Sequence, residues 1–542
     1  MKKLVYLSTV VLIAACSQSK TESTASDSLF DTLSMYKHIE VLSSDLFEGR
    51  KPFTEGETKT VAYLTEQFIA MGLQPGNGDS YTQDVPLVSI TGTPDDDMVI
   101  TGGKQSFTLS YGDEFVAYTE KGEAVTSINA SEVVFAGYGV VAPEYGWNDY
   151  EGLDVKGKTV LVMVNDPGFE SEDSTLFKGK TMTYYGRWTY KYEEAARQGA
   201  AGVLIIHETV PAGYPWMVVS GSWSGAKLQL AASSGYKCDV QGWVTRAAAI
   251  KLFKASEAGI KDYKKLAGNA SFKPVPLGIS ASISVSNEIR EDVSYNVIAK
   301  IEGSERPNEV VIYTAHWDHL GIGNPVDGDS IYNGAYDNAS GTAALLAVAE
   351  AFANGVKPKR TVVFLAVTAE EQGLLGSAHY AENPIYPAEQ TVANINIDGA
   401  NRFGRMKDFT IVGFGQSDMD DWAGQVAQQQ GRYIYPDPHP GKGYFFRSDH
   451  FSFAKIGIPA LYGSGTYEAE LGGVKKVEKI LSEYLSVKYH QPSDEFDPEG
   501  WRFGGMLQDV ELVYEVGSQL AESELWPGWK EGSEFKSLRT RQ

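Results

Sequence analysis

Val310-Val-Ile-Tyr-Thr-Ala-His316-Trp-Asp318-His319 begins as a run of apolar and β-prone residues and ends on three ionisable side chains. A run this short and this apolar predicts a strand buried on both faces. Two more come after it: Thr361-Val-Val-Phe-Leu-Ala-Val367, which leads into Thr368-Ala-Glu370-Glu371, and Val392-Ala-Asn-Ile-Asn-Ile397, which leads into Asp398-Gly. Helical spacing over 340–354 and 374–382 separates them, so strands and helices alternate from Ser294 onward and predict α/β architecture. Phe409-Thr-Ile-Val-Gly, a helix over 419–430 and a closing amphipathic helix on Met506, Val510, Val513, Val516 and Leu520 complete that block.

In open α/β sheets ligands bind beyond the carboxyl ends of the strands, which is where His316, Asp318, Glu370, Glu371 and Asp398 fall. Between the first two strands, Gly334-Ala-Tyr-Asp337-Asn338-Ala-Ser-Gly341 adds an acid at a helix start. Asp337, Glu371 and Asp398 would then share one cleft, and packed like charges stay ionised only if a cation compensates them. Two divalent ions would close that balance, with imidazoles completing their shells. His316 supplies one imidazole, and His490 in Val487-Lys-Tyr-His490-Gln-Pro-Ser-Asp494 is the best remaining candidate for the other. His319 reads as structural, and His38, His207, His379 and His439 lie outside the motifs.

Composition limits the alternatives. The 542 residues are 42% hydrophobic and 22% charged, enough apolar material for more than one core. Lys plus Arg at 47 against Asp plus Glu at 70 leaves a net charge of −23, which repels a phosphate backbone and argues against a nucleic-acid partner. The two cysteines, Cys16 and Cys238, are too few for a thiolate zinc site, so any metal must be held by His and carboxylate. Gly-x-Ser-x-Gly is absent, and Cys238 reads as a buried free thiol.

Lys2 and Lys3 precede an apolar run from Leu4 to Ala15 that reads as a signal peptide over 1–15. Its end, Ile13-Ala-Ala-Cys16, resembles a bacterial lipobox, which implies a lipidated Cys16, a flexible polar linker over 16–29, and an exported lipoprotein facing the periplasm or cell surface. Contact with the membrane is expected only through that anchor. Residues 132–275 predict a separate unit, with Val133-Val-Phe-Ala-Gly-Tyr-Gly-Val, Gly157-Lys-Thr-Val-Leu-Val-Met-Val, a helix from about Tyr190 and Gly202-Val-Leu-Ile-Ile in order. That order resembles the protease-associated domain, a β-rich lid inserted in several peptidase families. Residues 30–131 and 276–542 would form the surrounding discontinuous domain.

His316-x-Asp318, Asp337-Asn338-x-Ser-Gly, Glu370-Glu371, Asp398-Gly and His490-x-Pro-x-Asp494, taken together and in this order, resemble the di-zinc aminopeptidase family that also contains glutamate carboxypeptidase, the transferrin receptor and glutaminyl cyclase. The resemblance implies a zinc-peptidase fold (phosphorylase/hydrolase-like), a mixed sheet flanked by helices with an inserted β-rich unit. It further implies two Zn²⁺ per chain: His316 and Asp398 on one, Glu371 and His490 on the other, and Asp337 bridging both. Glu370 would be the general base, and Asp318 would accept the other ring N–H of His316 and fix its tautomer. The expected activity is removal of N-terminal residues from peptide substrates. Carboxypeptidase or dipeptidase action, glutaminyl cyclisation and a non-catalytic receptor-like role stay open on the same fold, and Arg402, Arg405, Lys442 and Arg447 are candidate carboxylate grips. Nothing in the sequence sets an oligomeric state.

Overall fold

The computed structural model describes residues 29–171, 173–223, 225–231 and 236–539, so the signal and Cys16 lie outside the described residues. Two helices open it, Thr32–Leu42 and Glu55–Ala70. They bury the apolar stripe that their spacing predicts, with Met35, Ile39, Leu42, Leu64 and Phe68 inside. Between them the turn Asp45–Arg50 carries a buried arginine, Arg50, onto the main sheet.

Eight strands of that sheet run in the order Thr82–Pro94, Val275–Ile301, Arg360–Val367, Arg306–His316, Thr391–Asn396, Ala460–Ser464, Asp408–Ile411 and Tyr433–Pro436. Its centre, from Arg360–Val367 to Ala460–Ser464, is parallel, and the strands on either side turn antiparallel, which makes it a mixed sheet. Every residue of Arg360–Val367 and Thr391–Asn396 is buried, as expected of strands covered on both faces. The alanine-rich helix Ser340–Asn354 lies over one face, and its small side chains let it sit close to the sheet and to the final helix Phe503–Glu522. Tyr313, Phe352 and Phe364 meet there at ring separations of 5.8–6.0 Å, and truncating one such ring costs about 3–5 kcal/mol.

The inserted unit has its own parallel strands, Val125–Phe135, Thr159–Met163, Gly202–His207 and Val240–Thr245. It is not hung on a flexible hinge. Val275–Ile301 pairs with Val125–Phe135 over 275–286 and with Arg360–Val367 over 297–301, so one 27-residue strand of about 90 Å runs through both. A second tie lies opposite. Met182 N–H donates to the Pro440 carbonyl at 3.2 Å, Lys178 pairs with Glu534 at 2.8 Å, and Tyr184 packs on Phe451 at 5.1 Å. Cys238 is buried and unpaired, and burial pushes its thiol up to about 12. No helix among the described residues is long and apolar enough to cross a membrane.

Candidate metal centre

Four strand-end loops and the segment before the last helix meet at one point. His316 ends its strand, and Nε2 lies 3.3 Å from Asp337 Oδ1 and 3.3 Å from Asp398 Oδ1. His490 Nε2 lies 3.0 Å from Glu371 Oε2 and 3.5 Å from Asp337 Oδ2. Asp337 thus turns one oxygen toward each imidazole. In a tetrahedral zinc site with bonds of about 2.0–2.1 Å, neighbouring donors stand about 3.3 Å apart, so these spacings and this N/O donor set fit zinc at two adjacent positions. His316 and Glu371 are sealed off, whereas the His490 side chain is 33% exposed and marks the open side of the cleft.

The electrostatics point the same way. Burial alone would lower His316, but Glu370 and Asp398, with hydrogen bonds to Asp337 and Asp398, hold its imidazolium well above the ordinary range. Burial is likewise overcome at His490, which Glu371 and Asp337 raise to about 10. Protons there stand in for cations that the carboxylates demand. Glu370 sits beside these donors but is not among the groups positioned to share an ion. Burial, together with Asp398 and Glu371, raises its carboxyl well above the usual value despite His316.

The motif residues that are not donors hold the loops in place. Asn338 Nδ2 donates to the carbonyls of His316 (3.3 Å) and Ile397 (3.1 Å), and its Oδ1 accepts from Gly341 N–H (3.0 Å) and Gly399 N–H (2.9 Å). A Cβ on Gly341 would fall 2.1 Å from that Oδ1, so the position admits only glycine. Ser340 Oγ donates to the Tyr336 carbonyl (2.7 Å) and accepts from Ala400 N–H (2.9 Å). Asp494 accepts from the N–H groups of Tyr336 and Asp337 at 3.2 Å each, which locks the His490 segment onto the Asp337 segment. Ser448 Oγ donates to Asp398 Oδ2 at 2.6 Å. Ala369 (φ 52°) and His490 (φ 57°) occupy the left-handed region, the kind of strain that collects at functional sites.

Asp318 departs from the sequence expectation and corrects it. The motif places its carboxylate on the His316 ring N–H, yet Nδ1 faces the Asp318 backbone carbonyl at 3.2 Å and the carboxylate stands 3.8 Å away. The N–H groups of Glu370 (3.0 Å) and Glu371 (3.4 Å) converge on that carboxylate instead and orient the turn that carries both glutamates. Asp318 therefore positions Glu370 and Glu371, and a main-chain oxygen faces the His316 tautomer. His319, read from sequence as structural, enters the cluster: Nδ1 lies 2.6 Å from Glu371 Oε1, and the two share a donor group with Asp337. Gly334 leaves room for that ring, since a Cβ there would lie 2.4 Å from His319 Cγ.

Arg50 is the residue that motif spacing missed altogether. Its guanidinium donates to the carbonyls of Trp317 (2.8 Å), Leu42 (2.5 Å), Asn333 (2.7 Å) and Gly334 (2.9 Å), tying the loop after His316 to the one before Asp337. Burial pulls it down to about 10 while Asp318, Asp494, Asp337 and Glu371 pull it up. Its only sequence signal is a charged residue in an otherwise ordinary Gly/Pro turn. Asp449 and His450 are buried behind the cluster, with His450 between Phe445 and Tyr462 at ring separations of 4.7 and 4.8 Å.

Comparison with known proteins bears on residues 296–513, which match the model described as Peptidase family M28. The chain is 35% identical over 136 residues to the aminopeptidase NAALADL1 of Mus musculus, covering 24% of this chain and 16% of that one. It is 25% identical over 234 residues to a probable zinc metalloprotease of Leptosphaeria maculans, covering 40% and 53%. The matched stretches thus span from about a sixth to about half of these relatives' lengths. Among solved structures, the aminopeptidase from Aneurinibacillus sp. strain AM-1 aligns over 92% of this chain and 95% of its own, with 18% identity and a TM-score of 0.48.

Proposed function

With residues 296–513 matching the model of peptidase family M28, we propose that this chain is an exported di-zinc aminopeptidase that removes N-terminal residues from peptides. The carrying observation is the convergence of His316, Asp337, Glu371, Asp398 and His490 around two points, with Glu370 adjacent and free of the donor set. His316 and Asp398 would hold one zinc ion, Glu371 and His490 the other, and Asp337 both. When bound, the ions supply Lewis acidity for the scissile carbonyl and acidify an attacking water. Glu370 would take a proton from the attacking water and return it to the leaving amine. Asp318 aims Glu370 through its backbone N–H, and the inserted unit, a lid of protease-associated type over 132–275, bounds the cleft.

The test is metal content together with turnover of aminoacyl arylamides and N-blocked peptides. About two zinc ions per chain and cleavage of free N-termini only are expected, with Glu370→Gln losing about 10²–10⁴ in kcat while keeping its metal. Cleavage of blocked peptides from the carboxyl end would replace this reading with carboxypeptidase action. Cyclisation of N-terminal glutamine without hydrolysis would replace it with glutaminyl cyclase. Zinc-free, inactive protein would leave a binding protein. Export and anchoring at the periplasmic side or cell surface belong to the same proposal, and a Cys16→Ser chain that still takes up labelled lipid would refute the anchor.

A further inference from the structure

A cavity of 360 Å³, the size of a small-molecule site, lies between the two opening helices, Thr32–Leu42 and Glu55–Ala70, and the last turn of the helix Ser340–Asn354. It is not part of the metal centre. Ser340–Asn354 begins beside Asp337, and Glu350, Ala353 and Asn354 at its other end line the cavity, so about 20 Å of helix separates the two places.

One wall is a hydrogen-bonded row. His38 Nδ1 lies 2.7 Å from the Tyr63 hydroxyl and its Nε2 3.3 Å from Ser34 Oγ, which in turn lies 3.5 Å from Glu350 Oε2. The row ends on the half-buried Glu350 carboxylate. Lys37 lines the same space from the first helix. These two opposite charges do not meet, and neither has an ion-pair partner among the described residues. The side-chain amides of Gln67 and Asn354, on the same wall, likewise make no hydrogen bond among the described residues. Four polar side chains from three helices thus border one space with their groups unanswered, while Met71 and Ala353 add an apolar patch. A ligand that answers both charges carries an ammonium and a carboxylate close together, since charged donors and acceptors make the stronger hydrogen bonds.

We propose that this cavity binds a free α-amino acid, with its ammonium on Glu350, its carboxylate on Lys37 and its side chain on Met71 and Ala353. The ligand is of the class that an aminopeptidase releases, but the site does not rest on that reading.

The test titrates L-leucine into the zinc-loaded full chain by calorimetry, beside isoamylamine and 4-methylpentanoate, each of which keeps one of leucine's two charges. Arylamide turnover on the same samples reads the metal centre. Leucine is expected to bind at least about tenfold more tightly than either analogue, and Lys37→Gln and Glu350→Gln should each weaken it by about tenfold. Lys37 is exposed and Glu350 half-buried, so both variants should keep the fold, shown by an unchanged arylamide kcat/KM. Leucine held only at the zinc pair would bind both variants as tightly as the parent. That result, or no binding at millimolar leucine, or equal binding of the single-charge analogues, overturns the site and leaves the peptidase reading standing. Leucine binding that fails in both variants, on a chain that turns over no arylamide, keeps the site and overturns the peptidase reading; in that case an unchanged urea midpoint shows that the variants are folded.

Discussion

Replacing Arg50 with methionine removes a side chain that ties the loop after His316 to the one before Asp337 while keeping much of its volume. Three carbonyls lose their donor, those of Leu42, Trp317 and Asn333, while that of Gly334 keeps the Ala339 N–H at 3.1 Å. A buried polar group left unsatisfied costs about 1–3 kcal/mol, so the three sum to at least about 3 kcal/mol. Relief from no longer burying a guanidinium, whose cost shows in the lowering of Arg50 to about 10, offsets part of this. A net loss of about 3–5 kcal/mol is expected, the range for breaking a buried charged contact. Arg50→Lys keeps the charge but offers three donors from a single point, and should fall between methionine and the parent. Urea unfolding of the metal-free chain reads the stability term, and zinc content after dialysis reads the effect on the site, where at least about tenfold weaker retention is expected for methionine. An Arg50→Met chain within about 1 kcal/mol of the parent, with its zinc intact, would refute the claim that this arginine organises the centre.

The geometry sets three further outcomes. His38 is buried between Ser34 and Tyr63 and is held near 4 by burial, with Lys37 adding, against 6.5 for the free side chain. The unfolded chain therefore carries the extra proton between those pH values, and stability should fall by about 1.4 kcal/mol per pH unit, to about 3 kcal/mol, as pH drops through that window. Urea midpoints for His38→Asn should lack that acid limb, and an unchanged limb would count against the assignment. Gly341→Ala forces a Cβ against Asn338 Oδ1 and the Ile397 carbonyl, at 2.1 and 2.7 Å, and should cost about 1–3 kcal/mol with loss of zinc; retained stability and metal would show that the loops can yield. Because the metal-free imidazoles of His316 and His490 are raised, zinc added at pH 8 should release about two protons per chain, visible as buffer-dependent calorimetric heats, and heats independent of the buffer would contradict it.

The strands and the residues at their ends were legible in the sequence because both are local facts. An apolar run of strand length declares itself, and an α/β sheet delivers the residues after each run to one edge, so His316, Glu370, Glu371 and Asp398 could be grouped from order alone. Asp337 and His490 came with their motifs, and the mixed sheet flanked by helices is as expected. Where a side chain points is not a local fact. Asp318 sits two residues from His316 yet turns its carboxylate to the Glu370 and Glu371 N–H groups, because two converging donors fifty residues away outcompete one ring nitrogen next door. His319 reaches Glu371 only because Gly334 leaves space for the ring. Arg50 lies 267 positions from Trp317, and no spacing rule links a turn after the first helix to a loop after a central strand. The sequence by itself determined which chemistry the chain can assemble, since residue type and strand order are written there. Packing decided which groups hold that chemistry in place, since that depends on contacts between segments far apart in the chain.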